Sequence, residues 1–265
     1  MYKISKLKNG LTLIKVPVKG VKALTIMAMF PVGSRYEEVN ISGASHFVEH
    51  MLFKGTQKRP THLEITRELD GFGAEYNAFT SKDYTGYYIK TGEVNMEKAF
   101  DWLADIIFNS KIELEEVEKE KGVIVEELRM YEDNPLMAVE NLFERAAFGD
   151  DHPLGWDVGG TPDSVRGVTR QQLWDYYQNH YFPKNMVLVV AGNINETKFK
   201  KQLQKLDKIK NKNQEIRDLN TIFILESTEV YNTCFDDPKE LIIKLNRVIK
   251  NNNIYRDELS KKYKN

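Results

Sequence analysis

Apolar and polar residues alternate along several short runs of the chain, with the period of two that half-buried strands show. The run from Val21 to Val32 starts in this way and then becomes almost continuously apolar, which is typical of a strand covered on both faces. Asn9-Gly10 separates the first two runs and favours a hairpin between them. We therefore predict strands at residues 2–7, 11–16, 21–32, 74–80, 84–90 and 186–192.

Other segments have apolar residues three and four positions apart, which is the period of an amphipathic helix. Capping signals mark several ends: Thr61 with Glu64 predicts a capping box, and Asn134 precedes a proline at the first helical position. Ser42 is the expected cap of an earlier helix, which Gly55 is expected to close. The pattern predicts helices at 42–55, 61–70, 93–108, 113–131, 134–148, 169–181 and 196–206.

Helices and strands alternate along the chain, but several strands come as hairpin pairs. This order favours an α+β fold, in which an antiparallel or mixed β-sheet is covered by helices on one side. Residues 1–210 carry the pattern and are predicted to form one domain. Residues 211–265 are rich in Lys and Asn, so we expect an atypical C-terminal tail made of a linker and a short helix.

Composition narrows the classes of function. The chain has 265 residues and a net charge of −1, which provides no overall field for nucleic acid or a membrane surface, so neither partner is expected. Cys234 is the single cysteine, which excludes an internal disulfide and a multi-cysteine zinc site. No apolar run reaches the length of a membrane span, and residues 1–20 lack a signal-peptide core, so we expect a cytoplasmic protein.

The candidate chemistry is concentrated in the sequence His-Phe-Val-Glu-His at residues 46–50. On a helix, positions i, i+3 and i+4 share a face, so His46 and His50 can both point at one cation. They supply two nitrogen ligands of the kind that zinc prefers, and Glu49 supplies a carboxylate able to act on a metal-bound water. The segment therefore predicts a zinc site that still needs a third protein ligand.

The third ligand is harder to choose from the residues alone. The acidic helix predicted at 113–131 is the better source, because Glu120 and Glu127 lie seven residues apart on one helical face. A single Glu on a charged helix is more commonly a solvated surface residue, so this choice stays open. The remaining candidates are poor, because they lie in a first turn, a loop, a packed helix end or the tail: His62, His152, His180 and Cys234.

Several segments together resemble the pitrilysin/insulinase family of zinc metallopeptidases, whose N-terminal catalytic half carries an H-x-x-E-H motif. Gly43–Thr56 is similar to the family's zinc segment, and Gly73–Thr80 and Val123–Pro135 follow in the family's order. Shorter similarities continue at residues 152–155, 160–161 and 181–186. The fold that this resemblance implies is a LuxS/MPP-like metallohydrolase half.

The resemblance also implies roles for the residues of the motif. It implies that His46, His50 and Glu127 hold Zn²⁺, because Glu127 lies 77 positions after His50, where the family's third ligand belongs. Glu126 is the second choice for this ligand, although it points about 100° away on a helix. Glu49 matches the family's general base.

Beyond the metal ligands, Glu120 matches an auxiliary acid of the catalytic site, and Asn77 and Ala78 match an edge strand that binds the substrate backbone by strand addition. The implied activity is zinc-dependent endopeptidase cleavage of a peptide substrate. Family members close a chamber with two homologous halves, and this chain resembles one half only. A homologous partner subunit or a second half-chain is therefore the expected partner.

Two other classes of function stay open at the level of sequence. One is a truncated, non-catalytic binding or assembly subunit of the same family, although such subunits usually lose the zinc motif, which is intact here. The other is a thioether lyase, which uses the same motif and completes its metal site with a cysteine. The single cysteine of this chain, Cys234, lies in the atypical tail, so this class is less favoured.

Overall fold

The computed structural model describes residues 2–211, whose strands form one six-stranded sheet. Along the chain the strands are β1 (Lys3–Lys6), β2 (Thr12–Pro17), β3 (Ala23–Phe30), β4 (Glu75–Thr80), β5 (Thr85–Gly92) and β6 (Val187–Gly192). In the sheet the order is β1-β2-β6-β3-β5-β4, and only the pair β2 and β6 is parallel. The predicted mixed sheet and its two hairpins, β1–β2 and β4–β5, are confirmed.

The middle of the sheet is formed by β6 and β3, and their side chains are buried on both faces apart from Ala23. Met27 of β3 lies opposite Val189 of β6 on one side and Tyr88 of β5 on the other. A strand with both faces covered needs an apolar residue at every position rather than at every second one. This explains the almost continuous apolar run that the sequence shows there.

Eight α-helices accompany the sheet in the described part of the chain. The predicted capping box at Thr61 and the cap at Asn134 are both present. One short helix was not predicted; Thr161 caps it together with Ser164. The helices are α1 (Ala44–Leu52), α2 (His62–Asp70), α3 (Met96–Asn109), α4 (Leu114–Asp133), α5 (Pro135–Phe148), α6 (Pro162–Gly167), α7 (Arg170–His180) and α8 (Glu196–Leu206).

Large aromatic side chains fill the core between the sheet and the helices. Their polar atoms are satisfied inside it: the Trp102 indole donates to the carbonyl of Ile65, and the Tyr177 hydroxyl donates to the carbonyl of Ile107. Phe47 of α1 belongs to this core and is 1% exposed. Burying a side chain of this size stabilises the fold by about 2–3 kcal/mol, so the core fixes the helix that carries the histidines.

Helix α5 differs from the others because it has no buried residue. Its half-buried positions are the small or polar residues Ala138, Asn141 and Glu144. Leu142 and Phe143 are 61% and 69% exposed. The helix therefore directs its apolar side chains away from the described part of the chain.

The tail predicted at 211–265, with its linker and short helix, lies outside the described residues apart from residue 211. Among the residues that are described, no helix combines the length and the apolar character needed to cross a membrane.

Candidate active site

Helix α1 carries the histidine motif, and its first turn is fixed from outside the helix. The prediction of Ser42 as the cap is wrong: Gly43 occupies the capping position and has no side chain that could bond to the helix. The carboxylate of Glu37 accepts the amide N–H groups of Gly43 and Ser45 instead, both at 2.6 Å. The predicted end at Gly55 is also wrong, because the helix stops at Leu52.

The start of α1 also depends on a glycine. Gly43 has φ of +93°, in the region that favours glycine. A Cβ atom there would collide with the backbone carbonyl of Gly159. The loop that contains Gly159 therefore packs directly against the beginning of the helix.

Three candidate ligands converge where α1 meets α4. The Nε2 atoms of His46 and His50 are 3.1 Å apart. One carboxylate oxygen of Glu127 lies 3.7 Å from Nε2 of His46, and the other lies 3.3 Å from Nε2 of His50. The two helices thus bring together the three residues that the sequence predicted as metal ligands.

The donor atoms fit a zinc ion. Zinc binds imidazole nitrogen and carboxylate oxygen at about 2.0–2.2 Å, so two donors of a tetrahedral site lie roughly 3.4 Å apart. The observed separations of 3.1, 3.3 and 3.7 Å lie around this value. Two histidines and one glutamate are also a donor set found in catalytic zinc sites, which keep one position open.

Glu120 has a different place from the ligands. It is buried, and its Oε1 atom lies 2.9 Å from Nδ1 of His50, the ring nitrogen that points away from the other ligands. Its Oε2 atom lies 2.6 Å from Nζ of Lys54. Glu120 can therefore fix the orientation of His50 without occupying a ligand position.

The second choice for the third ligand is not in the cluster. The side chain of Glu126 is 69% exposed and pairs with Arg129 on the surface of α4. The other described histidines bond to backbone groups elsewhere: His62 to Phe53, His152 to Leu154 and His180 to Tyr176. Cys234 lies outside the described residues.

Glu49 contacts the sheet. Its Oε2 atom accepts a hydrogen bond of 2.6 Å from the hydroxyl of Thr80, the last residue of β4. Strand β4 is an edge of the sheet, and it carries Asn77 and Ala78. The structure therefore puts the predicted general base at the end of the predicted substrate strand.

The protonation of the cluster follows from burial and close contacts. Burial, helped by the charge of His50, lowers the pKa of His46 to about 4. Burial opposes the charged form of His50 as well, but hydrogen bonds to Glu120 and Glu127 outweigh it and raise the pKa of His50 to about 9. The hydrogen bond with His50 in turn lowers the pKa of Glu127 to about 2. The carboxylates of Glu120 and Glu127 thus lie on either side of the positive charge of His50, and such an environment favours a cation.

Three further residues support the site and were not predicted from the sequence. Glu37 and Thr80 come from a loop and a strand, and no local pattern marks either as a partner of α1. The hydroxyl of Tyr131 donates to Oε1 of Glu127 at 2.7 Å. Tyr131 lies four residues after Glu127 on the same helix, so helical spacing was a signal that could have found it.

Comparison with known families identifies two matching regions. The family described as "Insulinase (Peptidase family M16)" matches residues 19–157, which include all the candidate ligands. A second description, "Peptidase M16 inactive domain", matches residues 167–251. This second match includes residues 211–251, which belong to the segment predicted as an atypical C-terminal tail.

Individual relatives agree with the family match. An uncharacterized zinc protease of Mycobacterium leprae is 39% identical over 188 residues, which are 71% of this chain and 42% of the relative. An uncharacterized zinc protease of Bacillus subtilis is 38% identical over 205 residues, 77% of this chain and 49% of the relative. The chain thus spans about half the length of these curated relatives.

A solved structure gives the same result for the fold. The crystal structure of a protease from Helicobacter pylori superimposes with a TM-score of 0.77 at 30% sequence identity. The match covers 82% of this chain and 53% of the Helicobacter pylori chain.

Proposed function

Because the chain belongs to the insulinase family of peptidases, family M16, we propose that residues 2–211 form the zinc-binding half of a metallopeptidase that hydrolyses peptide bonds. The observation that carries the proposal is the convergence of His46, His50 and Glu127, whose donor atoms have the chemistry and the spacing of a catalytic zinc site. The names of the curated relatives as zinc proteases support the choice of metal.

In this proposal His46, His50 and Glu127 hold the ion, and Glu120 orients His50. When bound, zinc would polarise the substrate carbonyl and acidify a water molecule. The protein residues have to place the substrate and move the proton. Helices α1 and α4 supply the ligands, and the buried core around Phe47 keeps α1 in place.

Glu49 is the proposed general base. Burial raises the pKa of its carboxyl above the ordinary value, and the hydrogen bond from Thr80 opposes that shift. A carboxylate with a raised pKa is a better proton acceptor at neutral pH than an exposed one. The Thr80 hydroxyl also fixes the carboxylate in one orientation, so Glu49 can take a proton from the attacking water and pass it to the leaving amine.

The substrate is proposed to bind as an additional strand on β4. An edge strand has one row of backbone N–H and C=O groups that does not pair within the sheet, and an extended peptide can pair with them without regard to its sequence. In β4 the N–H of Ala78 donates to Oδ1 of Asn77 at 2.9 Å, so the substrate backbone would replace this contact. Asn77 and Ala78 lie in this strand, and Thr80 at its end contacts Glu49. This arrangement would bring a scissile bond towards the general base.

A homologous second half is the proposed partner. The Helicobacter pylori protease and the curated relatives are about twice as long as the part this chain matches. The exposed apolar side chains of α5, among them Leu142 and Phe143, support contact with another protein surface. The two other classes of function are less well supported. A degenerate subunit would lack part of the H-x-x-E-H motif, which is complete here. A thioether lyase would need a thiol ligand, whereas among the described residues Glu127 completes the cluster.

The proposal is tested by peptide cleavage measured across a size-exclusion separation of the purified chain. We expect one zinc ion per chain, and we expect cleavage of an unfolded peptide in fractions larger than one chain. A chain that binds no zinc would refute the metal site. Cleavage confined to the fractions of a single chain would refute the need for a second half while leaving the metal site intact.

A further inference from the structure

Helix α4 directs three functional side chains towards the candidate metal site from one of its faces. Glu120, Glu127 and Tyr131 are spaced by seven and by four residues, which are close to whole helical turns. Glu120 contacts His50, Glu127 contacts both histidines, and Tyr131 contacts Glu127. Tyr131 is neither a proposed metal ligand nor the proposed general base, so its contact with Glu127 needs a separate explanation.

The hydrogen bond of Tyr131 distinguishes the two oxygens of Glu127. The hydroxyl donates to Oε1 at 2.7 Å, and this oxygen is 3.7 Å from Nε2 of His46. The other oxygen, Oε2, is left at 3.3 Å from Nε2 of His50. The bond therefore restricts rotation of the carboxylate and leaves one defined oxygen facing the second histidine.

We propose that Tyr131 is a positioning residue that holds the Glu127 carboxylate in the orientation needed to ligate the metal. The inference rests on the proposed function, in which His46, His50 and Glu127 bind zinc. Tyr131 would act on Glu127 as Glu120 acts on His50, so that α4 supplies an orienting group for two of the three ligands. Groups that hydrogen-bond to metal ligands commonly change metal affinity by about ten- to a hundredfold.

A purely local role for this side chain makes a different prediction. A tyrosine and a glutamate four residues apart on a helix stabilise the helix slightly through their contact. If that were the whole effect, removing the hydroxyl would change the unfolding free energy slightly and leave metal binding unchanged. The metal affinity and the geometry of the bound ion therefore separate the two interpretations.

The test is the zinc affinity of the full chain, measured by competition with a chromogenic chelator, for the wild type and Tyr131→Phe. Tyr2→Phe is the matched control, because Tyr2 is 42% exposed and lies in no site described above. We expect Tyr131→Phe to bind zinc about tenfold more weakly, at the lower end of the usual range, because Glu127 is partly exposed and water can replace the lost donor. With cobalt in place of zinc, the visible absorption bands should shift in Tyr131→Phe and stay unchanged in Tyr2→Phe.

A third variant, Glu127→Gln, distinguishes failure of the proposed metal site from failure of the positioning role of Tyr131. If the wild type binds no zinc, or if Glu127→Gln binds it as tightly as the wild type, the proposed metal site fails. If Glu127→Gln binds weakly while Tyr131→Phe has the affinity and the cobalt spectrum of the wild type, the positioning role of Tyr131 is refuted. Circular dichroism of each variant checks that the helices are retained.

Discussion

Replacing Glu37 by Gln should change how the stability of the protein depends on pH. Glu37 is 5% exposed, and its carboxylate accepts two amide N–H groups at the start of α1. Burial outweighs these bonds and raises the pKa of Glu37 from 4.5 to about 7. The folded state therefore holds this proton up to a higher pH than the unfolded state does, so stability is lost as the pH rises from the unfolded towards the folded pKa.

The size of the effect follows from the two pKa values. A carboxyl group with a pKa of 4.5 unfolded and about 7 folded makes the protein about 2.5 kcal/mol less stable at about pH 8 than at about pH 5. Glu37→Gln cannot ionise, so it lacks this loss. The amide NH₂ of the glutamine replaces one acceptor and weakens the cap, but that cost is the same at both pH values and cancels in the difference.

The assay is urea unfolding of the wild type and Glu37→Gln at both pH values, with a chelator present so that metal binding does not contribute. The wild type should lose about 2.5 kcal/mol relative to Glu37→Gln between about pH 5 and about pH 8. Glu38→Gln makes the same charge change at an exposed position and should differ from the wild type by less than about 0.5 kcal/mol. Equal pH dependence in the wild type and Glu37→Gln would refute the reasoning.

Three further predictions concern stability and activity. Arg59→Ala should lower the free energy of unfolding in urea by about 3–5 kcal/mol, because it leaves the buried carboxylate of Asp105 without its ion-pair partner. Arg129→Ala removes an exposed ion pair and should cost less than about 1 kcal/mol, so equal costs for the two variants would contradict this. Phe47→Ala should cost about 3–5 kcal/mol and Phe143→Ala within about 0.5 kcal/mol, and the reverse order would show the burial assignment to be wrong. Thr80→Val should lower peptide hydrolysis about tenfold at unchanged zinc content, and an unchanged rate would exclude a role for its hydroxyl.

Local rules predicted most of the elements because their signals lie within a few residues of each other. The start of α5 is an example: Asn134 caps it and Pro135 occupies its first position, as the sequence indicated. The start of α1 could not be predicted in this way. Its cap comes from Glu37, in a loop outside the helix, and only the folded backbone brings that carboxylate to the amides of Gly43 and Ser45.

Pairings between distant parts of the chain were also beyond the sequence pattern. Strands β2 and β6 are parallel neighbours, with Thr12 opposite Val187, and their alternation alone specifies neither the partner nor its direction. The candidate site divides in the same way. Helical spacing joined His46 to His50, but the residues alone left Glu120 and Glu127 open, and the family resemblance was needed to choose between them.

The orientation of α5 was unpredictable for a related reason. Its apolar positions indicated a helix, and an amphipathic helix ordinarily turns its apolar side chains to the core. Here Leu142 and Phe143 face outward, because the positions that touch the neighbouring loop and helix are small or polar. The side on which a helix packs depends on which surfaces are available to cover it.

The central claim is that His46, His50 and Glu127 hold a zinc ion beside a general base, Glu49. The most direct test measures zinc content by mass spectrometry and turnover of an unfolded peptide for the wild type and Glu49→Gln, each purified with any subunit that accompanies it. We predict one zinc ion per chain in both proteins and at least about a hundredfold slower turnover by Glu49→Gln. Turnover by the zinc-loaded variant at the wild-type rate, or a wild type without zinc, would contradict the account.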